Sequence, residues 1–215
     1  MRALTLVVSL NLLLGPWLIW AQGEDDGKVT CGSVVKVQHQ ATRFRLHSHD
    51  IPYGSGSGQQ SVTGFGGGDD NNCYWIVHGT EGEPCSQGEP IPKGRTIRLQ
   101  HARTRRWLHS HFHRSPLSRN QEISAFGGDG DSDGGDEWMI EWDDRKKFWM
   151  RDMKVYFKHV ETGAYLLTHD RKYSNPIPGQ QEVCGIQNKK DKNTIWFAGE
   201  GVYFPNSQSS VHDEL

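Results

Sequence analysis

The sequence lacks the signatures of most enzyme classes. It has no Gly-x-Ser-x-Gly, no glycine-rich phosphate loop and no zinc-protease motif, so nothing in it positions a nucleophile, a nucleotide or a catalytic metal. No Cys-x-x-Cys occurs among its four cysteines, which excludes a dithiol oxidoreductase motif. It contains no Asn-x-Ser/Thr, so N-glycosylation is not expected. It has no excess of one charge, with 24 Lys+Arg against 26 Asp+Glu. No global field therefore points to nucleic acid or to a membrane surface. Hydrophobic residues make up only 34% of the chain, and a single long apolar run, Ala3 to Trp20, stands out.

That run follows Met1-Arg2 and is closed by Ala21-Gln22-Gly23. It reads as a secretory signal peptide over 1–23, cleaved after Ala21 or Gly23. Its length leaves a signal anchor as the alternative; Asn11, Gly15 and Pro16 interrupt it and favour cleavage. The chain ends in His212-Asp213-Glu214-Leu215, the tetrapeptide read by the endoplasmic reticulum retention receptor. Together the two ends predict a protein of the endoplasmic reticulum lumen with no membrane insertion. About 190 residues remain, enough for one domain with a substantial core.

What is present is a repeat. His39-x-x-Thr42-x-x-x-Leu46-x-Ser48-His49 returns as His101-x-x-Thr104-x-x-x-Leu108-x-Ser110-His111 and again as His159-x-x-Thr162-x-x-x-Leu166-x-Thr168-His169. Each copy is preceded by a period-two strand pattern, such as Val35-x-Val37-x-His39. Each is followed by Gln60-Ser-Val62, Gln121-Glu-Ile123 or Gln181-Glu-Val183, and then by Trp75, Trp138 or Trp196. The 25 glycines suit short strands joined by tight turns. A single four-stranded repeat leaves an apolar face and two strand edges bare, and closing three around an axis covers both. The prediction is an all-β chain folded as a β-trefoil, although periodicity alone leaves a three-bladed arrangement open. A leader spans 24–32, the repeats 33–92, 93–152 and 153–205, and a tail 206–215.

Cys31 precedes the first strand of repeat one and Cys85 follows its last. Those ends approach in a closed repeat, so Cys31 and Cys85 are the expected disulfide in an oxidising lumen. Cys73 competes for either partner, and Cys184 reads as a small packing thiol.

Residues filled alike in all three repeats, the histidines and threonines above, are expected to serve the architecture. Positions that break the symmetry are better candidates for function. With Leu46 inward, alternation turns Arg45 and His47 outward, and Trp107 and His109 in repeat two. Beside Tyr53 and the glycine-rich loop Gly54 to Gly58 they form a candidate surface for polypeptide or glycan; the bland reading is a solvated strand face. His109, His111 and His113 alternate as zinc ligands would, but no fourth ligand is at hand, so neither metal nor cofactor is expected. Asp129-Gly-Asp131-Ser-Asp133-Gly134 begins like a calcium loop, yet position 12 is Ile140 and the flanks read as strands, which favours a hairpin loop.

The blocks Arg45 to Asp50, Tyr53 to Gly64 and Asn120 to Gly127 resemble the stromal cell-derived factor 2 family, and the likeness covers nearly all of the mature chain. The resemblance implies three MIR motifs, a β-trefoil and a non-catalytic role in lumenal protein quality control. It further implies misfolded client polypeptides, a J-domain co-chaperone and the lumenal Hsp70 as partners, and links to the unfolded protein response and to endoplasmic-reticulum-associated degradation. A lectin-like trefoil is the rival reading. The Gln-x-Trp of lectin trefoils is missing three times, since Cys73, Asp136 and Thr194 stand two residues before the tryptophans.

Overall fold

Twelve strands form, four per repeat, wherever the period-two pattern places apolar residues on one face. In repeat one they are β1 (Val34–His39), β2 (Arg45–Pro52), β3 (Gln60–Phe65) and β4 (Tyr74–Gly79). Repeat two supplies β5 (Thr96–His101), β6 (Trp107–Arg114), β7 (Gln121–Phe126) and β8 (Trp138–Glu141). Repeat three supplies β9 (Tyr156–His159), β10 (Tyr165–Lys172), β11 (Gln181–Ile186) and β12 (Trp196–Val202). This computed structural model describes residues 26–206. The signal peptide read at 1–23 and the retention tetrapeptide His212 to Leu215 lie outside the described residues.

Antiparallel pairing joins β1 to β4, β4 to β5, β5 to β8 and β8 to β9. A bridge from Val155 to Trp196 and the pairing of β12 with β1 complete the ring. Closure leaves the barrel wall no free edge along these pairings. The remaining strands make three hairpins, β2–β3, β6–β7 and β10–β11. They pair with one another through Gln60↔Ala125, Glu182↔Thr63 and Cys184↔Glu122. This is a β-trefoil: a six-stranded barrel capped at one end by a triangle of hairpins.

One core fills the barrel, with Val35, Val37, Leu46, Ile97, Leu99, Leu108, Phe157 and Leu166 fully buried. Trp75, Trp138 and Trp196 are fully buried as well, and each indole N–H donates to the carbonyl of the repeat's leucine, Leu46, Leu108 or Leu166, at 3.0, 2.8 and 2.9 Å. Burying an indole removes 150–250 Å² from water, or roughly 4–6 kcal/mol of transfer free energy each. The hydrogen bond satisfies the one polar atom that burial would otherwise strand.

Each repeat turns a corner after its His-x-x-Thr with a left-handed residue: Arg43 (φ 63), Arg105 (φ 62) and Gly163 (φ 71). A 3-10 turn precedes each tryptophan strand, at Asn71–Cys73, Gly134–Asp136 and Lys192–Thr194. Asp70, Asp133 and Asp191 cap these turns by accepting a backbone N–H two residues on. The calcium-like segment is thus a turn followed by a capped 3-10 helix, in which Asp136 also accepts from the Asp133 N–H at 2.9 Å. Cys31 and Cys85 form a disulfide with Cα atoms 6.1 Å apart, and Cys73 is a free, buried thiol.

Candidate functional site

The recurring histidines are built into the joints between repeats. His39 Nδ1 lies 2.9 Å from Thr42 Oγ1 and its Nε2 lies 3.0 Å from the Asn193 carbonyl. His101 repeats this with Thr104 and Asn72, at 2.8 and 3.0 Å. His159 repeats it with Thr162 and Gly135, both at 2.9 Å. Nε2 must donate, because its neighbour is a carbonyl, so Nδ1 is the acceptor and receives the threonine N–H. The ring is therefore held as the neutral tautomer. Burial drives His39 and His101 down to about 4 and lowers His159 too.

The outward row expected on β2 and β6 is not outward. His47, Trp107 and His109 are 2%, 5% and 5% exposed. Both faces of these strands are covered, because the capped 3-10 turn of the repeat folds back over the side that alternation left open. His47 stacks on Phe65 with centroids 4.9 Å apart and puts Nε2 3.4 Å from Asp70; burial pushes it down to about 4. His109 Nδ1 lies 2.9 Å from Asp136 and 3.5 Å from Asp133. The signal that strand alternation missed is Gly135: a Cβ there would meet His109 at 2.2 Å, so only glycine lets the turn lie on the imidazole. Trp107 donates to the Gly128 carbonyl at 2.9 Å under the Arg98 guanidinium. Arg45 is half-buried; with Lys36 it holds Glu200, at 2.8 and 2.7 Å.

A second asymmetry lies in the cap. Glu122 and Glu182 are fully buried, one residue after the recurring glutamine. Glu122 accepts from His111 Nε2 at 2.9 Å and from the backbone and hydroxyl of Ser57. Glu182 accepts from His169 Nε2 at 3.0 Å and from the N–H groups of Leu117 and Ser118, at 2.7 and 3.0 Å. Burial alone would raise the Glu182 carboxyl, but these donors hold it below its usual range. Each carboxylate thereby pins the hairpin loop of the preceding repeat. Repeat one has Ser61 in that place, and the buried Ser61 Oγ and His49 Nε2 have no partner. The facing loop has changed with it. Ser57 and Ser118 stand two residues before Gln59 and Asn120, whereas Pro178, without an N–H, stands two before Gln180.

The three loops meet on the cap axis. Tyr53, Tyr173 and Ile177 pack there with Ile51 and Leu117. Tyr53, expected at a surface, is buried, and its hydroxyl donates toward the Val62 and Ile123 carbonyls at 2.8 and 2.9 Å. A cavity of about 210 Å³ opens above them. A larger shallow groove of about 580 Å³ lies beside Tyr74, Arg103 and Val202 on the barrel wall.

Two clusters among the described residues bring ligand-type atoms within 4.8 Å of each other: His109, Asp133 and Asp136, and His169, Glu182 and Cys184. Their atoms already serve the caps and loops just described. Burial pushes the Cys73 and Cys184 thiols up to about 12, so neither is a nucleophile at neutral pH. No helix among the described residues is long and apolar enough to cross a membrane.

The MIR domain matches residues 46–198. Stromal cell-derived factor 2 of Homo sapiens is 47% identical over 203 residues, covering 94% of each chain. The crystal structure of the SDF2-like protein from Arabidopsis thaliana superposes with a TM-score of 0.82 at 53% identity, covering 84% of this chain and 99% of that one. The S. cerevisiae protein O-mannosyltransferase Pmt1-Pmt2 complex bound to the sugar donor matches with a TM-score of 0.75 at 30% identity, over 82% of this chain and 26% of that one.

Proposed function

Since this chain belongs to the stromal cell-derived factor 2 family, we propose that it is a non-catalytic binding protein of the endoplasmic reticulum lumen. It assists folding and quality control there as an adaptor joining misfolded polypeptides to a J-domain co-chaperone and the lumenal Hsp70. The observation that carries this reading is near-full-length likeness to stromal cell-derived factor 2, 94% of each chain aligning. The histidine and carboxylate networks support it: they are joints between repeats and loops, with their donors and acceptors engaged. The apolar leader and the terminal His-Asp-Glu-Leu support lumenal residence.

The test is crosslinking in the lumen followed by purification of the tagged chain, with the tag placed ahead of the last four residues. Recovery of Hsp70 and a J-domain protein is expected, together with suppression of client aggregation by the pure chain. Recovery of neither, with no effect on aggregation, overturns the reading. The likeness to the mannosyltransferase trefoil keeps glycans as a second class of partner, and saturable binding to one sugar class on a glycan array, indifferent to chaperones, would put that reading first. Deleting His212 to Leu215 should send the protein into the medium; undiminished retention would mean that a partner holds it inside.

A further inference from the structure

The cap axis carries an apolar cavity with exposed arginines beside it. Its walls come from all three loops and include Tyr53, Leu117, Tyr173 and Ile177. Its volume of about 210 Å³ suits one large apolar side chain. Prolines 52, 116 and 176 line it as well, so the walls lose little freedom when it fills. The buried Tyr173 hydroxyl, beside that of Tyr53, meets no partner of good hydrogen-bond geometry.

Beside the cavity stand two exposed arginines, Arg171 and, in the same loop as Leu117, Arg119; Arg114 Nη1 lies 3.3 Å from the Arg119 carbonyl and lines a neighbouring groove, and Lys172 lies over the Phe44 ring. None lies within ion-pair distance of a carboxylate among the described residues, whereas elsewhere Lys36, Arg45, Arg105, Arg106 and Lys189 are paired. Arg171 Nη1 lies 3.4 Å from the Leu117 carbonyl, at the lip itself. Two acids stand near: Asp50, which faces Arg106 at 3.6 Å, and the exposed Asp170. The carboxylates beneath, Glu122 and Glu182, are buried against His111 and His169. Phe112, which shares a strand face with Arg114, is 75% exposed. A local excess of unpaired cations on a chain of net charge −2 is a steering field of one sign.

We propose that this cavity is the docking site for an acidic polypeptide segment, which inserts one apolar side chain between Tyr53, Tyr173, Leu117 and Ile177 while its carboxylates engage Arg119 and Arg171. An apolar anchor flanked by arginines is the arrangement that concentrates binding energy in few contacts. The inference deepens the adaptor reading and rests on it for the class of partner.

The mature chain is titrated with labelled twelve-residue peptides and anisotropy is read. One peptide is Asp/Glu-rich with a central leucine, a second has serine for that leucine, and a third has lysine for every acid. Saturable binding of the first alone is expected, weakening at least tenfold in the double variant Arg119→Glu, Arg171→Glu and falling steeply from 50 to 300 mM salt. Both positions are exposed, so an unchanged thermal midpoint certifies the variant; Arg119→Gln, Arg171→Gln gives an intermediate loss. Equal binding of the serine or lysine peptide overturns the proposal, as does binding indifferent to the variants. Preference for anionic lipid vesicles or polyphosphate over the leucine peptide also overturns it, in favour of a simple anion surface. If the peptide fails to bind while the chain still captures lumenal Hsp70, the cavity is refuted and the adaptor reading stands. Failure of chaperone capture alone refutes the adaptor reading without touching the titration.

Discussion

At the scale of single residues, three histidines act as fixed neutral connectors. His101 hangs between Thr104 and the Asn72 carbonyl, and His39 and His159 do the same at the other two joints. Replacing His101 by leucine strands a buried carbonyl and a threonine hydroxyl, so urea denaturation should show a loss of about 2–4 kcal/mol. Their depressed basicity sets a pH dependence. In the folded chain His39 and His101 take a proton only near 4, whereas the unfolded chain takes it near the ordinary value of about 6.5. Between those values the unfolded state binds more protons, so stability is complete above pH 6.5 and is lost progressively as pH falls toward 4. A thermal midpoint flat from pH 8 to 6.5 and falling below it checks this. The role of these residues was legible, because a residue filled alike three times serves what is common to the repeats. His47 and His109 were misread for an equally physical reason. Strand alternation assigns faces but cannot see what lands on them, and a short 3-10 turn landed there.

At the scale of the element, the hairpins are pinned unequally. Glu182 holds the loop of repeat two through two backbone N–H groups and orients His169. Glu182→Ala leaves those donors buried and bare and should cost about 3–5 kcal/mol. Ser61→Ala removes a hydroxyl that already lacks a partner and should change stability by less than about 0.5 kcal/mol. Equal losses at the two positions, measured in one denaturant series, would sink this account. The strands were visible through Gln60, Gln121, Gln181 and the tryptophans after them. The loop-pinning carboxylates were not, since their partners lie 65 residues away in a neighbouring repeat.

At the scale of the whole molecule, the threefold count of anchors was enough to indicate closure, and the β-trefoil is what forms. The Cys31–Cys85 bond ties the entry of repeat one to its exit across 54 residues. Opening it should release about 4 kcal/mol of loop-closure entropy in the unfolded chain, less any residual order there. A mildly reducing buffer should therefore lower the thermal midpoint, and Cys31→Ser should show no further drop on reduction. Cys73 and Cys184 should stay unalkylated until the chain unfolds.

The pairing of Val34 with Val202 carries one more consequence. β1 enters the barrel, and β12 leaves it, at the rim facing away from the hairpin triangle, where the Phe204 carbonyl accepts from Thr30. The described chain thus ends at the pole opposite the three loops. On the docking proposal, a polypeptide seated among the three loops would leave the rim where β1 enters and β12 leaves uncovered, so a second partner could bind at that rim without displacing it.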